Sequence, residues 1–263
     1  MLKTEQRNPK TTHIDRMDAE QIVKIMNEEN RVAVEAVEAA LPQTARAIDA
    51  ITAGFAAGGR LFYVGAGTSG GLGMLDAAEC PPTFGVPRGK VIGLLAGGDI
   101  TNLAGNAEDQ AEAGEADLKG HDLRKEDVVV GISAAGGAAY VLGALCYAAA
   151  LGCTTVGITS NSGSELDRMA DISICTDTGP EVVTGSTRLK AGTAQKLVLN
   201  MLSTGAMIRS GYVYENLMIN LRPDNEKLEQ RMIRIVQDIA GVSPEEAKAR
   251  LVAADWNIRD AVK

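Results

Sequence analysis

From Val128 to Ser164 the chain carries no Asp, Glu, Lys or Arg. A run of that length either crosses a bilayer or lies buried inside a protein. Its texture favours burial. VVVGIS is short and β-branched, AAGGAA holds a glycine pair, YVLGALCYAAALG reads as a helix, and TTVGITSNSGS is a second strand with its loop. Strand, glycine loop, helix and strand in succession make a parallel unit covered on both faces, which accounts for the missing charges without a membrane.

The same alternation continues on either side. Strands are predicted at 60–64 (RLFYV), 90–95 (KVIGLL), 128–132, 154–159 and 172–175, with a helix running to about Glu79 and an acidic one from about Ala107 to Leu118. Strands alternating with helices predict an α/β fold, a doubly wound parallel sheet with helices on both faces. Upstream, Ile22, Ile25, Val32, Val34 and Val37 are spaced for long helices, and Pro42 marks the boundary between two of them. Downstream, Ala194, Leu197, Val198, Met201, Leu202 and Ile208 share one face of a core helix. Residues beyond about 224 change to balanced charge, and Ser243-Pro244 with Glu246 reads as a helix N-cap, first turn and capping box. The expected division is 1–57, helices packing on the core; 58–223, the sheet domain; and 224–263, a small helical appendage with Trp256 in its own core.

Composition narrows the function. The net charge of −8 argues against a phosphate-tracking nucleic-acid protein, whose footprint is a basic patch. The 29 glycines exceed the usual ~7% while aromatic residues are 3%, which suggests close backbone approach to a small polar ligand and no base stacking. Cys80, Cys146, Cys153 and Cys175 form no CxxC pair and read as buried reduced thiols of a cytoplasmic protein. The start, MLKTEQRNPK, has no apolar stretch of a secretory signal, and two histidines are too few to suggest a metal site.

Three loops carry the candidate chemistry. After the first strand comes Gly65-Ala-Gly67-Thr68-Ser69-Gly70, which formally matches the dinucleotide fingerprint but lacks the acid about twenty residues downstream, where Pro87-Arg88-Gly89 stands. Backbone amides, two hydroxyls and a helix start suit a monophosphate or sugar hydroxyls instead; a plain Ser/Thr cap is the alternative. Ser133-Ala-Ala-Gly136-Gly137 repeats the logic at the end of the third strand, so the two loops meet at the switch point of the sheet. The third loop, 179–193, is a polar island with Ser186, Thr187, Arg188 and Lys190 at the start of a helix, where cations oppose the helix dipole and an anionic partner is expected. Among the acids, Glu79 lies at the predicted end of the first-loop helix, before Pro81-Pro82, where apolar neighbours would favour a general acid. Glu108 sits in Asn106-Ala-Glu108-Asp109, and spacing alone does not pair it with Glu79.

GAGTSG at 65–70, LDAAECPPTFGVP at 75–87, GPEVVTGSTRLKAGTAQKLVLNMLST at 179–204 and RNP at 7–9 closely resemble the bacterial N-acetylmuramic acid 6-phosphate etherases, over essentially the whole chain. The resemblance implies a sugar isomerase (SIS) fold of the flavodoxin-like type, a UBA-like helical C-terminal part, and a cytoplasmic homodimer. It also implies cleavage of the lactyl ether without metal or redox cofactor, in peptidoglycan recycling. Glu79 matches the proton-donating acid and Glu108 the second catalytic carboxylate. Gly67, Thr68, Ser69, Ser133, Gly136, Ser186, Thr187 and Lys190 are left to hold the sugar phosphate. Glucokinase regulatory protein, which binds fructose phosphates without chemistry, is similar too and keeps open the alternative of a non-catalytic sugar-phosphate sensor. An aldose-ketose phosphate isomerase is the third class, though it has no need of ECPPTFGVP.

The chain departs from the family at one place above all. Where the family has an SGRTPY-like loop it has Ala135-Gly136-Gly137-Ala138-Ala139-Tyr140, and Gly71 replaces a further arginine. Two hydroxyls and two guanidiniums are gone. Each charge-assisted hydrogen bond is worth roughly 1.5–3 kcal/mol, so losing two or three of them weakens phosphate affinity by orders of magnitude.

Overall fold

The computed structural model describes residues 1–101, 106–223 and 225–263. After an N-terminal arm of short 3-10 turns come two helices, α1 (Ala19–Ala39) and α2 (Leu41–Ala56), with Pro42 in the first turn of the second. The α/β body follows: β1 (Leu61–Gly65), α3 (Gly67–Phe84), β2 (Val91–Leu95), a 3-10 turn at 106–109, α4 (Ala111–Gly120), β3 (Val128–Ile132), α5 (Ala139–Ala150), β4 (Thr154–Thr159), α6 (Glu165–Met169), β5 (Ile172–Cys175) and α7 (Lys190–Arg209). A short hairpin, β6 (Val213–Tyr214) and β7 (Leu217–Met218), leads to α8 (Glu226–Ala240), α9 (Pro244–Ala253) and α10 (Ile258–Ala261).

Among the described residues β1 to β5 form one parallel sheet in the order β2-β1-β3-β4-β5. The order reverses between β1 and β3, and that is where a ligand crevice opens in a doubly wound sheet. Alternate strand residues feed two cores. Leu61, Tyr63, Val130 and Ile158 pack under α1, α2, α3 and α7; Phe62, Val64 and Val129 pack under α4, α5 and α6. The charge-free stretch is therefore β3, α5 and β4; the strands are buried on both faces as the sequence predicts, while α5 turns Cys146, Ala149 and Ala150 to solvent, and no described helix is long and apolar enough to cross a membrane. A third cluster joins Ile219, Leu221, Met232, Val236, Leu251 and Ile258, with Trp256 packed against it.

Two sequence expectations need correcting. The first-loop helix does not stop at Glu79: α3 runs through Pro81 and Pro82 to Phe84 and ends on Gly85 in the left-handed conformation, φ 65°. Prolines forbid hydrogen bonds to the carbonyls four residues before them, not helical backbone angles, so a last turn tolerates them at the cost of those bonds. The acidic helix is split, a 3-10 turn at 106–109 and then α4, with Gln110 extended between them.

Helix α3 lies on the sheet backbone to backbone. A Cβ on Gly70 would stand 2.4 Å from the Gly65 carbonyl oxygen, and one on Gly93 would stand 2.5 Å from the Met74 Cα. Gly93→Ala is expected to force the helix off β2 and lower stability by about 1–3 kcal/mol, the usual range for overpacking. Thermal unfolding checks this.

Candidate functional site

The carboxyl ends of β1 and β3 pair in register, Gly65 with Ile132, so the loops that follow leave the sheet side by side. On the β1 side the chain turns at Gly67, φ 54°, straight into α3. Ala66 is the N-cap residue and supplies no side-chain cap. The plain-cap reading of Thr68 and Ser69 thus fails: Ser69 Oγ instead donates to Gln195 Oε1 of α7 at 3.0 Å. The first-turn amides of α3, at the positive end of an 18-residue helix, are left for a ligand.

On the β3 side, Ser133 Oγ accepts from Gly136 N at 3.1 Å, leaving its own proton as a donor. Gly136 has φ 76°, and a Cβ there would meet Ser164 Oγ at 2.2 Å, so glycine is required at this position. The loop is further pinned by Leu166 N donating to Gly136 O and by Asn161 Nδ2 donating to Ala134 O. Ala135, Gly137 and Ala138 offer no side-chain donor. Gly137 is exposed, with open space where a Cβ would project.

The third loop arrives from above α7. A Cβ on Gly192 would contact both Thr187 O at 3.6 Å and Thr68 Cγ2 at 3.7 Å, so the approach to α7 and the first turn of α3 touch. Ser186 and Thr187 are half-buried there. The expected anion at the start of α7 exists, and it is part of the chain. The fully buried Glu181 accepts from Lys190 N at 3.1 Å and Ala191 N at 3.0 Å, capping α7 from outside because Leu189 has no side-chain cap to give. Stability, not a ligand, explains that anion.

Lys190 needs the same correction. It is 2% exposed and its Nζ donates to Glu29 Oε2 at 2.5 Å. Glu29 also accepts from Lys10 Nζ and Asn8 Nδ2, both at 2.8 Å. Burial opposes the Glu29 charge, yet these hydrogen bonds from Lys10, Lys190 and Asn8 outweigh it and hold the carboxyl at about 2. Lys190 is therefore spent on an internal ion pair that fastens α1 and the RNP segment to α7, and is no phosphate ligand. Asn8 also donates to Pro180 O at 3.3 Å, so the RNP motif belongs to its own chain's third loop.

Glu108 is exposed and follows Ala107, whose Cβ lies 3.3 Å from a Cβ built on Gly97, just beyond the carboxyl end of β2. It shares the edge of the sheet with the two glycine loops. Glu79 does not. Eleven residues separate it from Thr68 along α3, roughly 16 Å at about 1.5 Å per residue. The packing agrees: Gly70 meets Gly65 and Leu95, Met74 meets mid-strand Gly93, and Ala77 and Ala78 line a cavity with Val91 at the start of β2. Glu79 thus stands at the opposite edge. It is exposed, without the apolar surroundings its sequence neighbours suggest. Cys146 is likewise exposed; Cys80 and Cys153 are buried, and burial pushes the Cys80 thiol up to about 12.

Sequence reasoning missed Glu29, Glu181 and Gln195. Glu181 left a trace as a member of the 179–193 island without a role given to it, and Gln195 left one by falling three residues after Gly192, on the face of α7 that meets α3. No cluster of described His, Cys, Asp or Glu is arranged to hold a metal ion.

Comparison with known proteins places these features. Residues 43–149 match the model of the glucokinase regulatory protein N-terminal SIS domain, and residues 98–205 match the SIS domain. N-acetylmuramic acid 6-phosphate etherases of Salmonella paratyphi A and Salmonella typhimurium are each 49% identical over 99% of this chain and 89% of theirs. Among solved structures, a phosphoheptose isomerase from Francisella tularensis is similar at TM-score 0.56 and 18% identity, over 72% of this chain and 98% of that one. A phosphoheptose isomerase from Neisseria gonorrhoeae is similar at TM-score 0.53 and 19% identity, over 71% of this chain and 97% of that one.

Because Glu29 is held near 2, its stabilising effect is complete above the ordinary carboxylate range and is lost as pH falls through about 2. Glu29→Gln leaves a buried ammonium unpaired and is expected to cost about 3–5 kcal/mol at neutral pH. Its stability should also fall less steeply than the wild type between about pH 5 and pH 2. Denaturant unfolding across that range measures both.

Proposed function

The chain belongs to the N-acetylmuramic acid 6-phosphate etherase family, and from that premise we propose that it cleaves the lactyl ether of N-acetylmuramic acid 6-phosphate. The products are N-acetylglucosamine 6-phosphate and D-lactate, in the recycling of peptidoglycan, and the chain is a carbon–oxygen lyase. What carries the reading in this chain is the uncapped first turn of α3, set between the hydroxyls of Thr68, Ser69, Ser186 and Thr187 at the switch point of the sheet. An anionic, hydroxyl-rich ligand fits it.

In the ring-opened sugar the C1 aldehyde acidifies the proton on C2. A carboxylate, in our reading Glu108, takes that proton; the C2–H electron pair forms the C2=C3 double bond. The C3–O bond breaks with its electrons going to the lactyl oxygen, which Glu79 protonates. Water then adds across the double bond, hydroxyl to C3 and proton to C2, returning both carboxyls to their starting states. One carboxyl must begin protonated and the other ionised, as in other acid–base pairs. The phosphate rests on the amides of Gly67, Thr68 and Ser69, with the proton of Ser133 and the backbone of Gly136 closing the other side.

We place the protein in the cytoplasm, where its free cysteines stay reduced, and as a homodimer through the helices on the α7 side of the sheet. Leu41, Leu75, Met201 and Ile208 are exposed there. A second reading, a sugar-phosphate sensor without chemistry, is favoured by the missing donors at 135, 137 and 138. One assay separates them. Incubation with N-acetylmuramic acid 6-phosphate is expected to release D-lactate, and Glu79→Gln to abolish the release; saturable sugar-phosphate binding with no lactate would leave the sensor. Ala135→Ser with Ala138→Thr is expected to tighten inorganic phosphate binding by about tenfold or more, since each new donor contributes up to a few kcal/mol. Calorimetric titration checks it, and unchanged affinity would mean the phosphate lies elsewhere.

A further inference from the structure

Among the described residues, Nε2 of Gln195 is the one buried side-chain nitrogen without a hydrogen-bond partner. The other unpaired buried atoms are oxygens, on Gln43, Tyr63, Asp76, Thr178 and Ser210. A hydroxyl can turn and a carbonyl oxygen tolerates a missing partner, whereas an orphaned N–H keeps the full desolvation cost of its unmade bonds. Such a group calls for a physical reason. Gln195 is 1% exposed, so solvent does not supply one.

Its position does. Gln195 Oε1 accepts from Ser69 Oγ at 3.0 Å, and the C=O and C–N bonds of the amide keep Nε2 within about 2.6 Å of Oε1. The orphan donor therefore lies within about 6 Å of the Ser69 hydroxyl, in the first turn of α3. Three residues earlier on α7, a Cβ on Gly192 would stand 3.7 Å from Thr68 Cγ2, so this face of α7 meets the same turn. The start of α7 is fixed by Glu181 on its first amides and by the Lys190–Glu29 pair, so Gln195 is held in place beforehand. The bond to Ser69 also sets polarity. Ser69 spends its only proton there, and two N–H bonds of Gln195 remain to give. Turned over, the carboxamide would donate to Ser69 and free the hydroxyl proton. In either orientation the pair keeps a donor for an acceptor-rich ligand.

We propose that Gln195 is a phosphate-binding residue: the Gln195–Ser69 pair donates to an oxygen of the substrate's phosphate as it rests on the first-turn amides of α3. A neutral carboxamide thus supplies, from behind the turn, a side-chain donor that the 135–139 loop lacks. This rests on the reading above that the phosphate lies on α3.

Gln195→Glu tests it. A carboxylate still accepts from Ser69 and so preserves the tether between α3 and α7, but it has no N–H to give and repels a phosphate. Calorimetric titration with inorganic phosphate is expected to show affinity reduced tenfold or more. In D-lactate release the KM is expected to rise by a similar factor with kcat within about threefold, the mark of a contact remote from the breaking bond. Gln195→Met, uncharged and close in size, is expected to weaken phosphate binding in the same direction, and thermal unfolding shows that each variant is folded. Phosphate affinity unchanged in both variants, or a wild type that binds no inorganic phosphate, would overturn the inference. So would lowered stability with phosphate affinity intact, which would leave Gln195 a tether only. A wild type that binds phosphate and releases no D-lactate would instead sink the etherase reading and leave this inference standing.

Discussion

The contact of α3 with the sheet, glycine against backbone, governs the rest of the molecule. Gly65, Gly70, Gly73 and Gly93 have no side chains to hold the helix away, so it lies directly on β1 and β2. Asn200 and Ser203 of α7 fasten it from the other side by donating to the buried Asp76. Burial pushes the Asp76 carboxyl above its ordinary value against those hydrogen bonds. A helix so fixed has two consequences. Its first turn opens at the carboxyl edge without a side-chain cap, with the Ser69 hydroxyl turned to Gln195 of α7, and its thirteenth residue, Glu79, is carried to the far edge.

Much of this was legible in the sequence because burial leaves periodic signatures. The charge-free stretch from Val128 to Ser164 declared a sheet covered on both faces, and the β-branched runs gave all five strands to within a residue. What misled were local rules applied without tertiary context. Pro81 and Pro82 suggested a stop at Glu79, but a final helical turn tolerates them. The cations before α7 suggested an external anion, but Glu181 supplies it from nine residues upstream. Lys190 read as a ligand until Glu29, from a helix far away in sequence, claimed it. Such long-range pairings have no period and no fixed spacing.

Of the cations at the third loop, Arg188 is exposed and in no ion pair among the described residues, while the others are claimed by carboxylates. Lys190 and Lys10 pair with Glu29, and Lys3 pairs with Asp177. A phosphate here would rely mainly on backbone amides, hydroxyls and the helix dipole, with Arg188 the one third-loop cation left for it among the described residues. Those are sufficient to locate an anion and weaker than the guanidiniums that the family places in the 135–139 loop and after GTSG. Gly137 has the space for such a group and lacks it. The electrostatics therefore favour a modest grip on phosphate, and the proposed chemistry falls to the two carboxyls.

In the proposed reaction the ether bond breaks on the sugar side by elimination, and addition of water follows. Running the reaction in water labelled with heavy oxygen and weighing both products by mass spectrometry addresses it in one step. One labelled oxygen is expected in the N-acetylglucosamine 6-phosphate and none in the hydroxyl of D-lactate. Label in the lactate hydroxyl would mean cleavage on the lactyl side, and would contradict the roles assigned to Glu79 and Glu108.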